Sequence, residues 1–212
     1  MTQGQVVRRI VKPAVFAGAL VPGALLLIDT MAGRLGANPV EEITHRTGLA
    51  ALSLLVVTLA VTPARDLSGV GALAVLRRPL GLFAFWYAVL HLLTYVVDQT
   101  YLSGLGLSPA AVWEDIRTRP YITLGFSAFL LLIPLAITST KGWIKRLGAA
   151  RWQRLHRLVY VACALAVLHF VWLVKADLLL PVSFGVVVGA LLLYRLGARR
   201  RRGSRRAAAA AG

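Results

Sequence analysis

Six long apolar runs, separated by short stretches rich in charge, glycine and proline, set the pattern of this chain. They lie near residues 10–29, 47–63, 79–97, 120–138, 153–174 and 178–196. Each has about the length of helix, roughly 20 residues, that crosses about 30 Å of hydrocarbon. The runs are continuous rather than alternating, which favours helices, whose backbone groups pair within the segment, over barrel strands. The first run is the weakest, with Pro13, Pro22 and Gly23 inside it. Its basic start (Arg8, Arg9, Lys12) mimics a signal peptide, but no small-x-small cleavage site follows, so it is expected to remain as an anchor. The predicted fold is all-α: an integral membrane bundle of six transmembrane helices.

Composition agrees. With 58% hydrophobic residues in 212 and a mean hydropathy of +0.72, the chain has more apolar surface than one soluble core of this size could hide. The formal charge of +16 could suggest nucleic acid, yet the charges sort by side. Segments 1–12, 64–78, 139–157 and 195–212 hold 19 of the 24 Lys and Arg residues, whereas seven of the eight acids fall in the alternate segments. Basic loops stay cytoplasmic, so both termini are predicted to be cytoplasmic. Residues 1–196 then form one transmembrane domain. Residues 197–212 read as a disordered basic tail on anionic lipid, and no nucleic-acid partner is expected.

Three of the four histidines lie in the apolar runs: His91, His156 and His169. An ionisable side chain is costly in hydrocarbon and marks a ligand, a proton path or a packed polar pair. His91 lies six residues before the end of the third run and His169 five before the end of the fifth. Both are therefore about 8–9 Å below the outer surface at 1.5 Å per residue. Matched depth on two helices is what the two axial ligands of one haem require. Ala84, Ala88, Ala162 and Ala166 leave room near them or let helices approach. Trp86, Tyr87, Tyr95 and Trp172 either wall the pocket or form an interfacial aromatic belt.

His156 stands 13 residues before His169, about 20 Å along a straight helix and roughly 140° around it. It is assigned to a second site near the inner surface, for a second haem, a flavin or a quinone. On the third helix the corresponding level holds Arg77 and Arg78, which suit a phosphate or carboxylate. His45 is expected to be a solvated loop histidine. Cys163 is the only cysteine and no C-x-x-C-H occurs, so disulfide frameworks, iron–sulfur centres and covalent haem attachment are excluded within one chain. Without a G-x-G-x-x-G or a P-loop, electrons or substrates must come from outside the chain.

The stretches RRPLGLFAFWYAVLHLLTYVV (77–97), RPYITLGFSAFLLLIPLAITST (119–140) and RWQRLHRLVYVACALAVLHFVW (151–172) resemble the haem-binding membrane subunit of the periplasmic methionine-sulfoxide reductase system. That family belongs to the ferric-reductase-like transmembrane group, and the resemblance spans about residues 30–196. It implies a b-type cytochrome that passes electrons from the quinol pool, or from a soluble flavin reductase, to a periplasmic molybdopterin-containing methionine-sulfoxide reductase. It further implies haem b, one or two, with flavin mononucleotide as an additional cofactor. His91, His156 and His169 match the family's haem-associated histidines, and His91 with His169 are the expected iron ligands. Larger relatives carry two stacked haems on two histidine pairs; here the third helix offers one histidine, which favours a single haem.

On this reading the chain is an electron-transfer subunit. Electrons enter near His156, Trp152 and the basic loop Lys141, Lys145, Arg146 and Arg151. They leave to a partner docked on an acidic face with Glu41, Glu42, Glu114 and Asp115. The competing expectations are a stand-alone ferric or quinone reductase, and a cofactor-free proton conductor or transporter.

Overall fold

The structure, a computed structural model, describes residues 1–98 and 108–211. All regular elements among them are helical. A short α1 (Gln3–Val6), a π-helical turn (Val7–Val11) and α2 (Lys12–Met31) run on as one rod, Gln3–Met31. Then come α3 (Pro39–Ser68), a 3-10 turn (Gly71–Leu76) leading into α4 (Arg77–Val97), and the short α5 (Pro109–Thr118). The chain continues through α6 (Pro120–Ile137), α7 (Lys141–Leu155), α8 (Leu158–Leu173) and α9 (Leu179–Ala211). Five of these rods are long and apolar enough to cross a membrane, and six if α7 and α8, bent by 42° at their junction, count as one span.

Local chemistry explains where the helices begin. Asn38, Ser108 and Thr140 each accept a backbone N–H three residues on, and Pro39 and Pro109 follow their caps with φ already set for a helix. Gly69, at φ 71°, closes α3 in the left-handed conformation that a side chain would resist.

The structure departs from the sequence expectations at three points. The second span begins at Pro39 rather than near 47, so His45 sits on a helix, not in a loop. The fifth does not run unbroken from 153: α8 starts at Leu158, and His156 lies at the break. Finally, helical backbone continues through the basic stretch to Ala211, as arginine and alanine, both strong helix formers, favour. Gly212 lies outside the described residues.

The packed centre draws on α3, α4, α6, α8 and α9 through Leu55, Leu59, Ala84, Leu132, Leu135, Ala162, Cys163 and Val188. Ala84 and Ala162 are fully buried, so the small residues of α4 and α8 do bring helices together. Outward, Leu27, Trp86, Trp172, Val186 and Leu193 are more than half exposed, a surface that only lipid would cover.

Two backbone faults created by proline or its neighbours are repaired by side chains from other helices. Pro63 has no N–H to give to the carbonyl of Leu59 one turn earlier. Arg195 of α9 reaches across and donates to that oxygen at 2.7 Å. Beside Pro22 in α2, the Tyr87 hydroxyl of α4 wedges into the helix ladder, donating to Ala19 O at 2.9 Å and accepting from Gly23 N at 2.8 Å. Each repair ties a peripheral helix to the centre.

Candidate functional site

Two cavities divide the bundle lengthwise. The first, about 800 Å³, lies between the N-terminal halves of α3 and α6 and the C-terminal halves of α4 and α8. Its lining includes Gly48, Ala88, His91, Gly125, Ala166 and His169. The second, about 680 Å³, occupies the opposite halves of the same helices together with α9. Leu55 and Leu132, both nearly inaccessible, line both cavities and form their common wall.

In the first cavity the structure brings His91 and His169 face to face, with ring centroids 6.1 Å apart and planes at 76°. Each ring is held the same way. His91 Nδ1 donates to the carbonyl of Thr44 on α3 at 2.8 Å, and His169 Nδ1 donates to the carbonyl of Tyr121 on α6 at 2.7 Å. A proton fixed on Nδ1 leaves Nε2 with its lone pair, the tautomer a metal ligand needs. Neither Nε2 has a hydrogen-bond partner among the described residues.

Glycine makes this seating possible. Four residues after each accepting carbonyl comes a glycine, Gly48 after Thr44 and Gly125 after Tyr121. A methyl group at Gly48 would come within 2.8 Å of His91 Nδ1, and one at Gly125 within 2.9 Å of His169 Nδ1. The imidazoles therefore lie against bare helix backbone, in two like arrangements on two helix pairs. Gly48 and Gly125 escaped the sequence reading, although two glycines inside apolar helices were a visible signal. The carbonyl acceptors could not have been found that way.

The spacing can be tested against a metal. An imidazole nitrogen lies about 2.0–2.1 Å from a bound first-row metal, and the ring centre about 1.1 Å beyond it, so two rings aimed from opposite sides at one ion have centres about 6.2–6.4 Å apart. The observed 6.1 Å is close to that separation. No group of three or more His, Cys, Asp or Glu side chains able to hold a metal exists among the described residues. Two imidazoles with open Nε2 atoms would suit an ion whose remaining ligands come with it, as in a macrocycle.

The expected pocket aromatics divide. Tyr95 lines the cavity and donates to Asp115 at 2.9 Å. Tyr87 faces α2, and Trp86 and Trp172 point outward, 61% and 58% exposed, in keeping with the belt reading for those two. His45 stays exposed, but at the cavity's edge with its ring 6.3 Å from Phe170. The carboxylates expected to form a docking face all have partners within the chain. Asp115 binds Tyr95 and Arg119, Glu114 binds Arg117, Glu41 binds Asn38, and Glu42 binds Gly36 N and Arg46.

His156 belongs to the second cavity. Its ring stacks on Trp152 at 3.8 Å, its Nδ1 meets Trp152 O at 3.1 Å, and its Nε2 lies 3.4 Å from Ser139 Oγ. Both nitrogens thus have protein neighbours, whereas in the facing pair only Nδ1 does.

Against known proteins, the model of the ferric reductase like transmembrane component matches residues 47–167, which include most of both cavities. A Herminiimonas arsenicoxydans protein described as protein-methionine-sulfoxide reductase heme-binding subunit MsrQ is 49% identical over 88% of this chain and 84% of its own. A Deinococcus radiodurans protein of the same description is 50% identical over 87% of this chain and 88% of its own. The chain belongs to the MsrQ family. Rhodospirillum rubrum has a further member, 46% identical over 97% of this chain and 99% of its own. No solved structure matches. As a member of the MsrQ family with five or six apolar rods, the chain is a multi-pass protein of the bacterial inner membrane.

Proposed function

We propose that this chain is the haem-carrying electron-transfer subunit of a methionine-sulfoxide reductase system, with His91 and His169 as the axial ligands of one haem b. The observation that carries the proposal is the facing pair: rings 6.1 Å apart, each Nδ1 locked to a backbone carbonyl and each Nε2 left open. The names of its relatives, heme-binding subunits, point the same way. Haem supplies a one-electron couple at iron, which the protein tunes by axial ligation and burial.

What the chain contributes is placement. Thr44 and Tyr121 fix the tautomer and rotation of the two rings, Gly48 and Gly125 give them a close seat, and Ala88 and Ala166 keep space for a flat group between α4 and α8. Leu55 and Leu132 close the floor against the second cavity. The asymmetry of basic residues supports six spans with both termini cytoplasmic, residues 1–196 as the membrane domain and the basic end of α9 against anionic lipid. In that orientation the facing pair lies near the periplasm, where a molybdopterin-containing reductase would accept electrons. His156 and the second cavity face the cytoplasm, the side of the quinol pool or a flavin reductase, with flavin mononucleotide as the further cofactor.

Purified protein tests this directly. A Soret band that shifts and narrows on dithionite is expected, together with one haem per chain by pyridine haemochrome. A colourless preparation that takes up no added haem overturns the reading.

A further inference from the structure

The first cavity is polar at one end only. Gly48 and Gly125, against which the two imidazoles rest, mark one level across the bundle. From that level toward the second cavity the lining residues, among them Leu52, Leu55, Phe129 and Leu132, are all apolar. Toward the mouth, α3 presents Glu41, Glu42 and His45, α4 adds Tyr95 and Asp98, and the head of α6 adds Arg119.

The charges at the mouth are uneven. Among the described residues Arg119 is the one Lys or Arg side chain that lines the cavity, against three acids. Arg119 is also fixed in relation to a ligating ring. Its carbonyl accepts from Ile122 N at 2.9 Å at the start of α6, and Pro120 stiffens the step to Tyr121, whose own carbonyl holds His169 Nδ1. The guanidinium gives Nε to Asp115 at 3.1 Å and hydrogen-bonds the Tyr121 side chain. With five N–H groups in a fixed fork, it is not exhausted by these two contacts.

Two facing imidazoles define an axis through the iron and leave rotation about that axis open. The polarity of the walls closes it. Haem b carries both of its carboxylates on one edge. Among the apolar residues a carboxylate would be a buried charge without a partner, and beside Glu41 and Glu42 it would meet like charge. Arginine offers a carboxylate charge-assisted, bidentate hydrogen bonds. We infer that Arg119 anchors a haem carboxylate, so that the propionate edge faces the mouth of the first cavity and the uncharged edge faces the Leu55–Leu132 wall. The inference rests on the haem reading above and adds to it the orientation of the ring and a positioning residue outside the ligand pair.

The test is Soret titration of the full-length chain, produced without haem and held in detergent, with iron protoporphyrin IX and with its dimethyl ester, whose carboxylates are blocked. The wild type should bind the free acid roughly fivefold tighter than the ester, a modest factor because Arg119 is half-exposed. Arg119→Gln should weaken only the free acid and so remove the preference, and Arg119→Lys should keep part of it. Asp115→Asn breaks the contact with α5 but keeps the cation, and should retain the preference. In the holoprotein, the propionate bending band in resonance Raman spectra should move in Arg119→Gln and stay in Asp115→Asn. Equal binding of the two porphyrins by the wild type, a preference that survives Arg119→Gln, or an equal loss in Asp115→Asn overturns the inference. A wild-type chain that gives a Soret band without preference sinks the orientation alone, whereas one that binds neither porphyrin sinks the haem reading and the orientation together.

Discussion

At one end of the bundle, two imidazoles face each other with their inner nitrogens fixed by backbone carbonyls and their outer nitrogens open. At the other, a histidine stacks on a tryptophan beside Arg77 and Arg195, whose Nε atoms have no hydrogen-bond partner among the described residues. The same helices build both places, with Leu55 and Leu132 between them. A histidine in an apolar helix is thus not by itself a ligand. What distinguishes the two cases is the setting: His91 and His169 lie opposite each other across a cavity, whereas His156 stacks on Trp152 with no second imidazole opposite it.

The contrast breaks most severely if the facing rings are removed. His91→Ala or His169→Ala should abolish the Soret band while the protein still accumulates in membranes, as reduced-minus-oxidised spectra and immunoblotting of the same membranes would show. Gly48→Ala and Gly125→Ala should come next, because the new methyl meets a ring nitrogen at 2.8–2.9 Å. Disturbing the partner that orients a ligating histidine typically weakens metal binding about 10–100-fold, and haem retention during transfer to apomyoglobin would read that loss. His156→Ala should leave the Soret band in place and slow only its reduction by a donor from the cytoplasmic side, measured by stopped flow. Bleaching of all haem in that variant would show the two cavities to be wrongly distinguished. Smallest is Tyr87→Phe, which removes one hydroxyl bridge and should cost about 1 kcal/mol, seen as a modest fall in thermal midpoint with an unaltered spectrum.

The bundle was legible in the sequence because lipid demands long uninterrupted apolar helices, and the runs at 120–138 and 178–196 match the starts of α6 and α9 within a residue. Depth counting set His91 and His169 at one level, since helical rise is fixed, and their ring centres lie 6.1 Å apart. Hydropathy missed what does not sit in hydrocarbon. The first two turns of α3, which carry Glu41, Glu42 and His45, are set by the Asn38 cap rather than by apolar content. The amphipathic α5 hid in a connecting segment. The break at His156 could not be read from apolar periodicity, because WQRLHR suits a helix on either side of it. Trp86 and Trp172 could be read as pocket wall or interfacial belt, and only the rotation of their helices, which turns them outward, decides between the two. Gly48 and Gly125 were visible as residues, but their meaning depends on imidazoles brought from other helices.

Pro63 makes the order of synthesis matter. Its missing N–H leaves the Leu59 oxygen bare in the middle of the third helix to be translated, and the guanidinium that covers it arrives some 136 residues later, on the last rod. Until then a nascent chain holds an uncovered carbonyl dipole in an apolar helix. A chain cut before Arg195 would keep that oxygen bare, so α9 finishes a helix made long before it.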